Sequence, residues 1–552
     1  MLSAWTPAPL ASIVALWLVV AGNYSFWTTL TGGLGDSTRG VAAALTLAVA
    51  LWASLTFALH LLAFTRLHRW LWAIVLVASA AAAHFVDHWG VLIDKAMLRN
   101  VVQTDTAEAL DLLTSELVLD LLFRGLLPAA AILAWPMQRP RLKSSLIASV
   151  SLALLGAGLF TAALAVHYSE YAPTFRNHRE LRYQLVPANF VRAGVGIALP
   201  TGHPSMRKIE PVAQDATRTP GAQPLLFVLV VGETARADNF SLGDYARPTN
   251  AALSSSGVRY FQGVKSCGTD TATALPCMFT DIKGDAYSVE QAGRRENLLD
   301  ILQRTGVNVA WVENNSGCKG VCDRVPTTRL QDLDACAGRD CNDADFALAI
   351  DRLPRLQADT LMVFHQQGSH GPAYFKRYPG TPAFGPACET NRLQDCPRET
   401  VVNAYDSSID FTSQALANVI RALERRAFQS AGGGVVMLYI SDHGESLGER
   451  GVYLHGLPSW VAPHEQFHVP MMLWMDDAAR RRLAPDTRCL DDAMTRDLSH
   501  DYLYHTLMGA FDVKSKVYVP RLDLLAGVDD VSRCPPKTTD FVEQHRTNQG
   551  TP

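Results

Sequence analysis

The first 266 residues contain no cysteine, and the first 38 contain neither lysine nor arginine. Charge of either sign is scarce up to about residue 168. The missing cationic start argues against a cleaved signal peptide, whose n-region is basic. The scarcity of charge excludes an ordinary soluble domain at the amino-terminal end. The net charge of -4, from 49 Lys and Arg against 53 Asp and Glu, averages two unlike regions, and nothing in it points to nucleic acid.

What stands there instead is a series of apolar runs at about 9–30, 41–65, 70–87, 117–137 and 145–168. Each is near the roughly 20 residues a membrane helix needs. They predict a transmembrane domain with five spans over residues 1–168, the third ending at the polar pair His84 and Asp87. Arg66 and Arg69 sit between spans two and three, and Arg139, Arg141 and Lys143 between spans four and five. Cationic short loops stay in the cytoplasm. The amino terminus is then inside, while the loop 88–116 and everything after residue 168 are outside.

The cysteines bear on the same point independently. All ten lie in the part expected outside: Cys267, Cys277, Cys318, Cys322, Cys336, Cys341, Cys388, Cys396, Cys489 and Cys534. An even number confined to an exported region fits disulfides. Sequential pairing would join 267–277, 318–322, 336–341 and 388–396, leaving 489–534. Cys318 and Cys322 could instead be half of a zinc site, but no matching Cys/His group has ligand spacing.

Residues 169–223 read as a juxtamembrane segment and linker. Within 174–192, Arg176, Arg179, Arg182 and Arg192, interleaved with aromatics and leucines, stand against the single acid Glu180. Such a segment either lies on an anionic lipid surface or is a solvated connector. Residues 199–223 are rich in Pro, Gly and polar residues, as linkers are. From residue 224 to 552 apolar runs (Leu225–Val231, Val307–Val312, Thr360–Phe364, Val435–Ile440) alternate with helical stretches at about 295–304, 343–357 and 402–426. Continuous apolar strands alternating with helices predict a largely parallel α/β sheet, whose ligands bind beyond the carboxyl ends of the strands.

Reactive residues cluster at those ends. Glu233 follows the first run, Asn314-Asn-Ser316 the second, His365 to His370 the third, and Asp442-His443 the fourth. Between Cys267 and Cys277 stand three threonines, at 269, 271 and 273. Two hard carboxylate oxygens and one imidazole suit zinc, and a threonine hydroxyl would complete four-coordination. A free threonine is a weak nucleophile and needs a metal or a base to activate it.

With these residues in view, the chain resembles the membrane phosphoethanolamine transferases that modify lipid A, including the mobile colistin-resistance enzymes. The resemblance runs through nearly the whole chain. It rests on Cys267-Gly-Thr-Asp-Thr and Pro276-Cys277, Asn314-Asn-Ser-Gly-Cys-Lys-Gly320, His365-Gln-Gln-Gly-Ser-His-Gly-Pro-Ala-Tyr374, Ser441-Asp-His-Gly-Glu-Ser446 and Tyr453-Leu-His455. It implies five membrane helices and a periplasmic domain of the alkaline phosphatase/sulfatase fold. It also implies that Thr271 is the nucleophile and that Glu233, Thr271, Asp442 and His443 are zinc ligands. His370 and His455 would bind a second zinc or the substrate phosphate and move protons, while Ser316 and Lys319 would contact the phosphoethanolamine or the acceptor. Asn100, Thr104 and Glu108 match substrate-contacting positions and fall at i, i+4 and i+8, one face of a helix.

The implied reaction takes phosphoethanolamine from phosphatidylethanolamine, through a covalent threonine intermediate, to lipid A or lipopolysaccharide. That lowers surface negative charge and resistance to polymyxins would follow. The implied place is the bacterial inner membrane, as a monomer with its catalytic domain in the periplasm. The alternative is phosphoethanolamine or phosphoglycerol transfer to another periplasmic glycan or core sugar. The Cys/Ser-x-Pro-x-Arg motif of sulfatases is absent, which argues against that activity. Asp270 departs from the family pattern: a carboxylate beside a phosphorylated threonine repels substrate unless it points away or binds metal. His464 and His468 read as structural.

Overall fold

Runs of membrane length become helices in a computed structural model of the chain. It describes residues 6–526 apart from 66, 105, 138–141, 199–208, 222, 334–335, 337–339, 430–432 and 486, and omits the side chains of 107–108, 142–145, 198 and 428–429. Arg66, Arg139, Arg141, the Lys143 side chain and Cys534 therefore lie outside the described residues. Two compact units result: residues 1–99 with 112–203, and residues 100–111 with 204–552.

In the first unit Thr38–Leu62, His68–Trp89, Ser115–Ala134 and Leu146–Asn177 are each long and apolar enough to cross a membrane. The expected first span is not one straight helix. Pro7–Ala21 and Tyr24–Leu34 meet at 65°. Asn23, buried at the break, donates to the carbonyls of Leu18 (2.8 Å) and Val186 (2.9 Å) and accepts from the Val186 amide (2.8 Å). These bonds satisfy in place polar backbone that a straight helix would satisfy internally. The last helix runs nine residues past the expected end at 168, with a non-helical backbone at His167. The polar end of the third span is paired across to the fourth: His84 Nδ1 to Asp120 (2.8 Å), and Arg124 to Asp87 (2.8 Å) and Asp120 (3.1 Å). Ionisable groups at that depth persist when paired in this way.

The second unit is built on a seven-stranded sheet. Its strands are β1 (Leu226–Gly232), β2 (Arg259–Phe261), β3 (Asn308–Glu313), β4 (Thr327–Arg329), β5 (Thr360–His365), β6 (Val435–Ser441) and β7 (Met471–Met475). Their spatial order is β2-β7-β6-β1-β5-β3-β4, with β7 antiparallel to both neighbours and the other pairings parallel. β1, β5 and β6 are buried throughout. Phe227, Leu229 and Val231 share one core with Leu298–Leu302 and Leu503–Phe511. On the other face Phe364 stacks on Phe346 at 4.6 Å. The helix expected over 343–357 stops at Asp351, three residues before Pro354, which has no amide to continue it. Bridges close 267–277, 318–322, 336–341 and 388–396, so Cys318 and Cys322 are a disulfide rather than half of a zinc site.

At the edge opposite the strand carboxyl ends, Asp359 ties three segments together. Its carboxylate accepts from the Leu225 amide (2.6 Å), pairs with Arg482 (2.8 Å) and pairs with Arg218. Burial alone would raise its pKa, but Arg482, the Leu225 amide and Arg218 outweigh burial and hold it below the usual carboxylate range. A depressed folded pKa contributes stability that is present above the unfolded value and lost as pH falls through the folded one. Asp359→Ala is therefore expected to cost about 3 kcal/mol at neutral pH, measured by thermal unfolding of the full chain. The gap to the unsubstituted protein should narrow below about pH 4.

Candidate active site

Parallel register sets the site. Gly232 of β1 is opposite Ser441 of β6, so the chain leaves both strands at one level and the next residues, Glu233 and Asp442, come side by side. On the other flank Val231 is opposite His365, which is opposite Glu313. A row of reactive side chains thus lines the carboxyl edge of the sheet, where α/β proteins bind ligands.

Thr271 is the first residue of the helix Thr271–Met278. Its hydroxyl lies 3.1 and 3.2 Å from the two Glu233 oxygens and 3.3 Å from His443 Nε2. His443 Nδ1 donates to the Gly444 carbonyl (2.8 Å), which turns Nε2 toward Glu233 (3.3 Å) and Asp442 (3.4 Å). Thr234, at φ 58°, is a β-branched residue in a left-handed conformation, a strain that persists only where the surroundings demand it. Here its amide donates to Asp442 Oδ1 (3.1 Å) and its hydroxyl to Glu233 Oε1 (2.6 Å). Gly368, at φ 54°, packs so tightly that a Cβ would lie 2.4 Å from the Glu233 carbonyl.

The charges are buried and unbalanced. Glu233, Asp442 and His443 are at most 1 % exposed. Burial and the neighbouring Glu233 push Asp442 up to about 7. Burial opposes protonation of His443, but Asp442 and Glu233 outweigh it and raise His443 to about 10. Burial works against the Glu233 charge too, yet the His443 hydrogen bond and charge hold it well below the usual range.

The ligand atoms of Glu233, Asp442 and His443 lie within 4.8 Å of one another. Asp442 Oδ2 is buried without a hydrogen-bond donor, which in a carboxylate calls for a cation. Two carboxylates, one imidazole and an adjacent hydroxyl are a donor set that fits zinc.

The remaining expected residues fall in two groups. His455 packs on His443 (ring centroids 4.3 Å) and His370 on His455 (5.2 Å). His455 Nδ1 is 3.4 Å from Glu445, whose pKa burial pushes up to about 8. Ser316 and Lys319 pair with each other, Nζ to Oγ at 3.0 Å. They follow Asn315, whose amide donates to Glu233 (2.6 Å) and to the Gln366 carbonyl (2.9 Å).

Asn100 and Thr104 belong to the same unit as these residues, but not to one continuous helix with position 108. Lys95–Gln103 ends and Thr106–Asp111 begins anew. The Thr104 hydroxyl bonds back to the Asn100 carbonyl (2.8 Å), the local bond by which threonine competes with a helix. The Glu108 side chain lies outside the described residues. Asp111 anchors this segment, pairing with Lys376 and with Arg377 (3.3 Å), which also donates to the His370 carbonyl (2.7 Å).

Asp270 points away from the hydroxyl cluster. It is the N-cap of the Thr271 helix and accepts from the Thr273 amide (3.0 Å). The rival Thr269 donates to the Leu457 carbonyl (2.7 Å). Sequence reasoning missed Glu313, which holds His365 Nδ1 (2.9 Å), and Asp343, which accepts from the Gly368 amide (2.9 Å). It also missed His500, whose pKa burial lowers to about 4. Neutral His500 donates from Nε2 to the Ser441 carbonyl (2.9 Å) while Nδ1 accepts from the Cys267 amide (3.5 Å). No sequence motif marks these residues; the apolar strand before Glu313 was the one available signal.

Known proteins resemble the chain along its length. The family described as phosphoethanolamine transferase EptA/EptB matches residues 51–200, and the sulfatase family matches residues 226–513. The chain is 37 % identical to the phosphoethanolamine transferase EptA of Escherichia coli K12, over 93 % of this chain and 95 % of that one. It is 34 % identical to the phosphatidylethanolamine transferase Mcr-1 of Escherichia coli, over 92 % and 95 %. Among solved structures, the integral membrane lipooligosaccharide phosphoethanolamine transferase A of Neisseria meningitidis matches with a TM-score of 0.87 at 34 % identity, covering 94 % of this chain and 98 % of that one.

Two outcomes are expected from this geometry. Asp270→Ala should cost about 1 kcal/mol in stability, with Asp270→Asn retaining most of the cap, read by denaturant unfolding. A divalent-metal chelator should lower the Tm, because a ligand that binds the folded state alone stabilises it. The same chelator should shift the Tm of Asp442→Asn less.

Proposed function

The chain belongs to the phosphoethanolamine transferases of the EptA and Mcr-1 type, and on that premise we propose that it carries phosphoethanolamine from phosphatidylethanolamine to lipid A or lipooligosaccharide by way of Thr271. The observation that carries the reading is the Thr271 hydroxyl, within 3.3 Å of both Glu233 and His443, beside an Asp442 oxygen that accepts no hydrogen bond. Glu233, Asp442, His443 and Thr271 would hold zinc, which supplies positive charge that lowers the cost of a threonine alkoxide and of the charge on the transferring group.

The chain's own residues do the rest. Thr271 Oγ1, its proton directed at Glu233, attacks the phosphorus; its bond to phosphorus forms as the phosphorus–oxygen bond to diacylglycerol breaks. His455 or His370 gives the leaving alkoxide a proton. An oxygen of the acceptor then returns a proton to that imidazole and displaces Thr271, whose oxygen takes its proton back from Glu233, completing a ping-pong exchange. Thr271 opens a helix, whose amino-terminal field favours negative charge there. Lys319, held by Ser316, would offset charge on the moving phosphoryl group. Asn100 and Thr104 would meet the donor, since Asp111 and Arg377 tie their segment to the backbone of His370.

The product gains an amine, so the cell surface loses net negative charge and binds cationic peptides such as polymyxins less well. The apolar helices and the disulfides of the second unit support a reading in which the reaction runs at the inner membrane, with the catalytic domain in the periplasm. A core sugar is the competing acceptor: a Kdo(2)-lipid A phosphoethanolamine 7''-transferase of Escherichia coli is 28 % identical over 52 % of this chain.

Thr271→Ala should lower transfer by about a thousandfold or more. Donor alone should leave a phosphoethanolamine adduct on the peptide bearing Thr271, seen by mass spectrometry. Full activity in Thr271→Ala would sink the mechanism. Mass spectrometry of lipid A from cells with and without the chain decides the acceptor: unchanged lipid A with a modified core sugar overturns the lipid A reading.

A further inference from the structure

At the end of the last apolar helix and just beyond it the chain carries an unexplained concentration of cations. Between residues 174 and 192, Arg176, Arg179, Arg182 and Arg192 stand against one acid, Glu180. Arginine is the residue kept out of short segments on the outer side of a membrane, so four of them there call for a counter-ion. For Arg176 and Arg179 the described residues do not supply it. Glu180 is taken by His178 at 2.9 Å, and among the described residues Arg176 and Arg179 pair with no carboxylate. The carbonyl end of the helix closing at Asn177 accounts for a nearby cation, but not for several around one space.

That space is a cavity of about 480 Å3 lined by Phe175, Arg176, His178, Arg179 and Arg182. Arg182 and Arg192 both lie over the Tyr183 ring, at 5.0 and 5.8 Å. The helix that follows, Ala188–Ala198, leaves Val191, Val195 and Ile197 at least 40 % exposed. An exposed apolar edge beside clustered arginines is the pattern of a segment lying at a lipid–water interface. Planar guanidinium forks match the oxygens of a phosphate, which they grip two at a time.

We propose that this cavity is a phosphate site for the acceptor lipid, with Arg176 and Arg179 gripping a phosphate of the lipid A headgroup. This rests on lipid A being the acceptor. Such a grip gives the juxtamembrane segment a specificity role: it selects phosphorylated acceptors over other lipids of the leaflet.

The test is binding without donor, so its result does not depend on whether Thr271 is the nucleophile. The full chain in nanodiscs of phosphatidylcholine is titrated with bisphosphorylated lipid A, with the same lipid after phosphatase treatment, with phosphatidylglycerol and with inorganic phosphate. The expected result is preference for the bisphosphorylated lipid, weakened about tenfold or more in Arg176→Ala/Arg179→Ala, as the loss of charge-assisted bonds implies. The variant Arg176→Lys/Arg179→Lys, which keeps the charge, should retain part of that affinity, and dephosphorylated lipid should bind the unsubstituted chain no better than the bisphosphorylated lipid binds the alanine variant. Equal binding by the alanine variant overturns the proposal. So does arginine-dependent binding of phosphatidylglycerol at the same affinity, which marks a general anionic surface, or of inorganic phosphate, which marks a free-phosphate site. A chain that binds lipid A as expected but leaves cellular lipid A unmodified separates failure of the acceptor reading from failure of this site.

Discussion

Two carboxylates withdrawn from water at neighbouring strand ends form the constraint around which the catalytic unit is arranged. Parallel pairing of Gly232 with Ser441 brings Glu233 and Asp442 together whether or not their charges favour it. Burying like charges side by side is costly unless a cation and fixed donors compensate. The surroundings supply the donors: the strained Thr234, the Asn315 amide, and the turned ring of His443. One Asp442 oxygen accepts no hydrogen bond, and the single His443 ring 3.4 Å away faces two carboxylates. That residue of unsatisfied charge is why the site reads as a metal centre rather than a structural ion pair.

The Thr271 hydroxyl is held as firmly as the carboxylates. Asp270 caps the helix that starts at Thr271, the Cys267–Cys277 bridge closes that helix on itself, and His500 links the Cys267 amide to the end of β6. Three separate elements thus set one oxygen against the charged cluster. Rigid support of this kind matters because misplacement by about 1 Å can cost a hundredfold in rate.

Much of this was legible in the chain. β1, β3, β5 and β6 are continuous apolar runs, and their ends match the expected ones to within a residue or two. β2 and β4 are three residues each and carry charge, so nothing periodic marks them. Glu313 and His500 were invisible because a residue that orients another by a hydrogen bond has no required spacing from it. The bend after Ala21 was hidden for the same reason: Asn23 finds its partner at Val186, 163 positions away.

Hydropathy, helix and strand periodicity and cysteine placement are properties of short stretches. The sequence by itself therefore determined an apolar helical region, a disulfide-bearing α/β domain, and a set of reactive residues at the strand ends. Tertiary structure decided which of three threonines meets the carboxylates, that Asp270 caps a helix, and that the helix near Thr104 breaks. Those outcomes turn on which donor reaches which acceptor, and that choice is made by groups far apart in the chain and brought together only by the sheet.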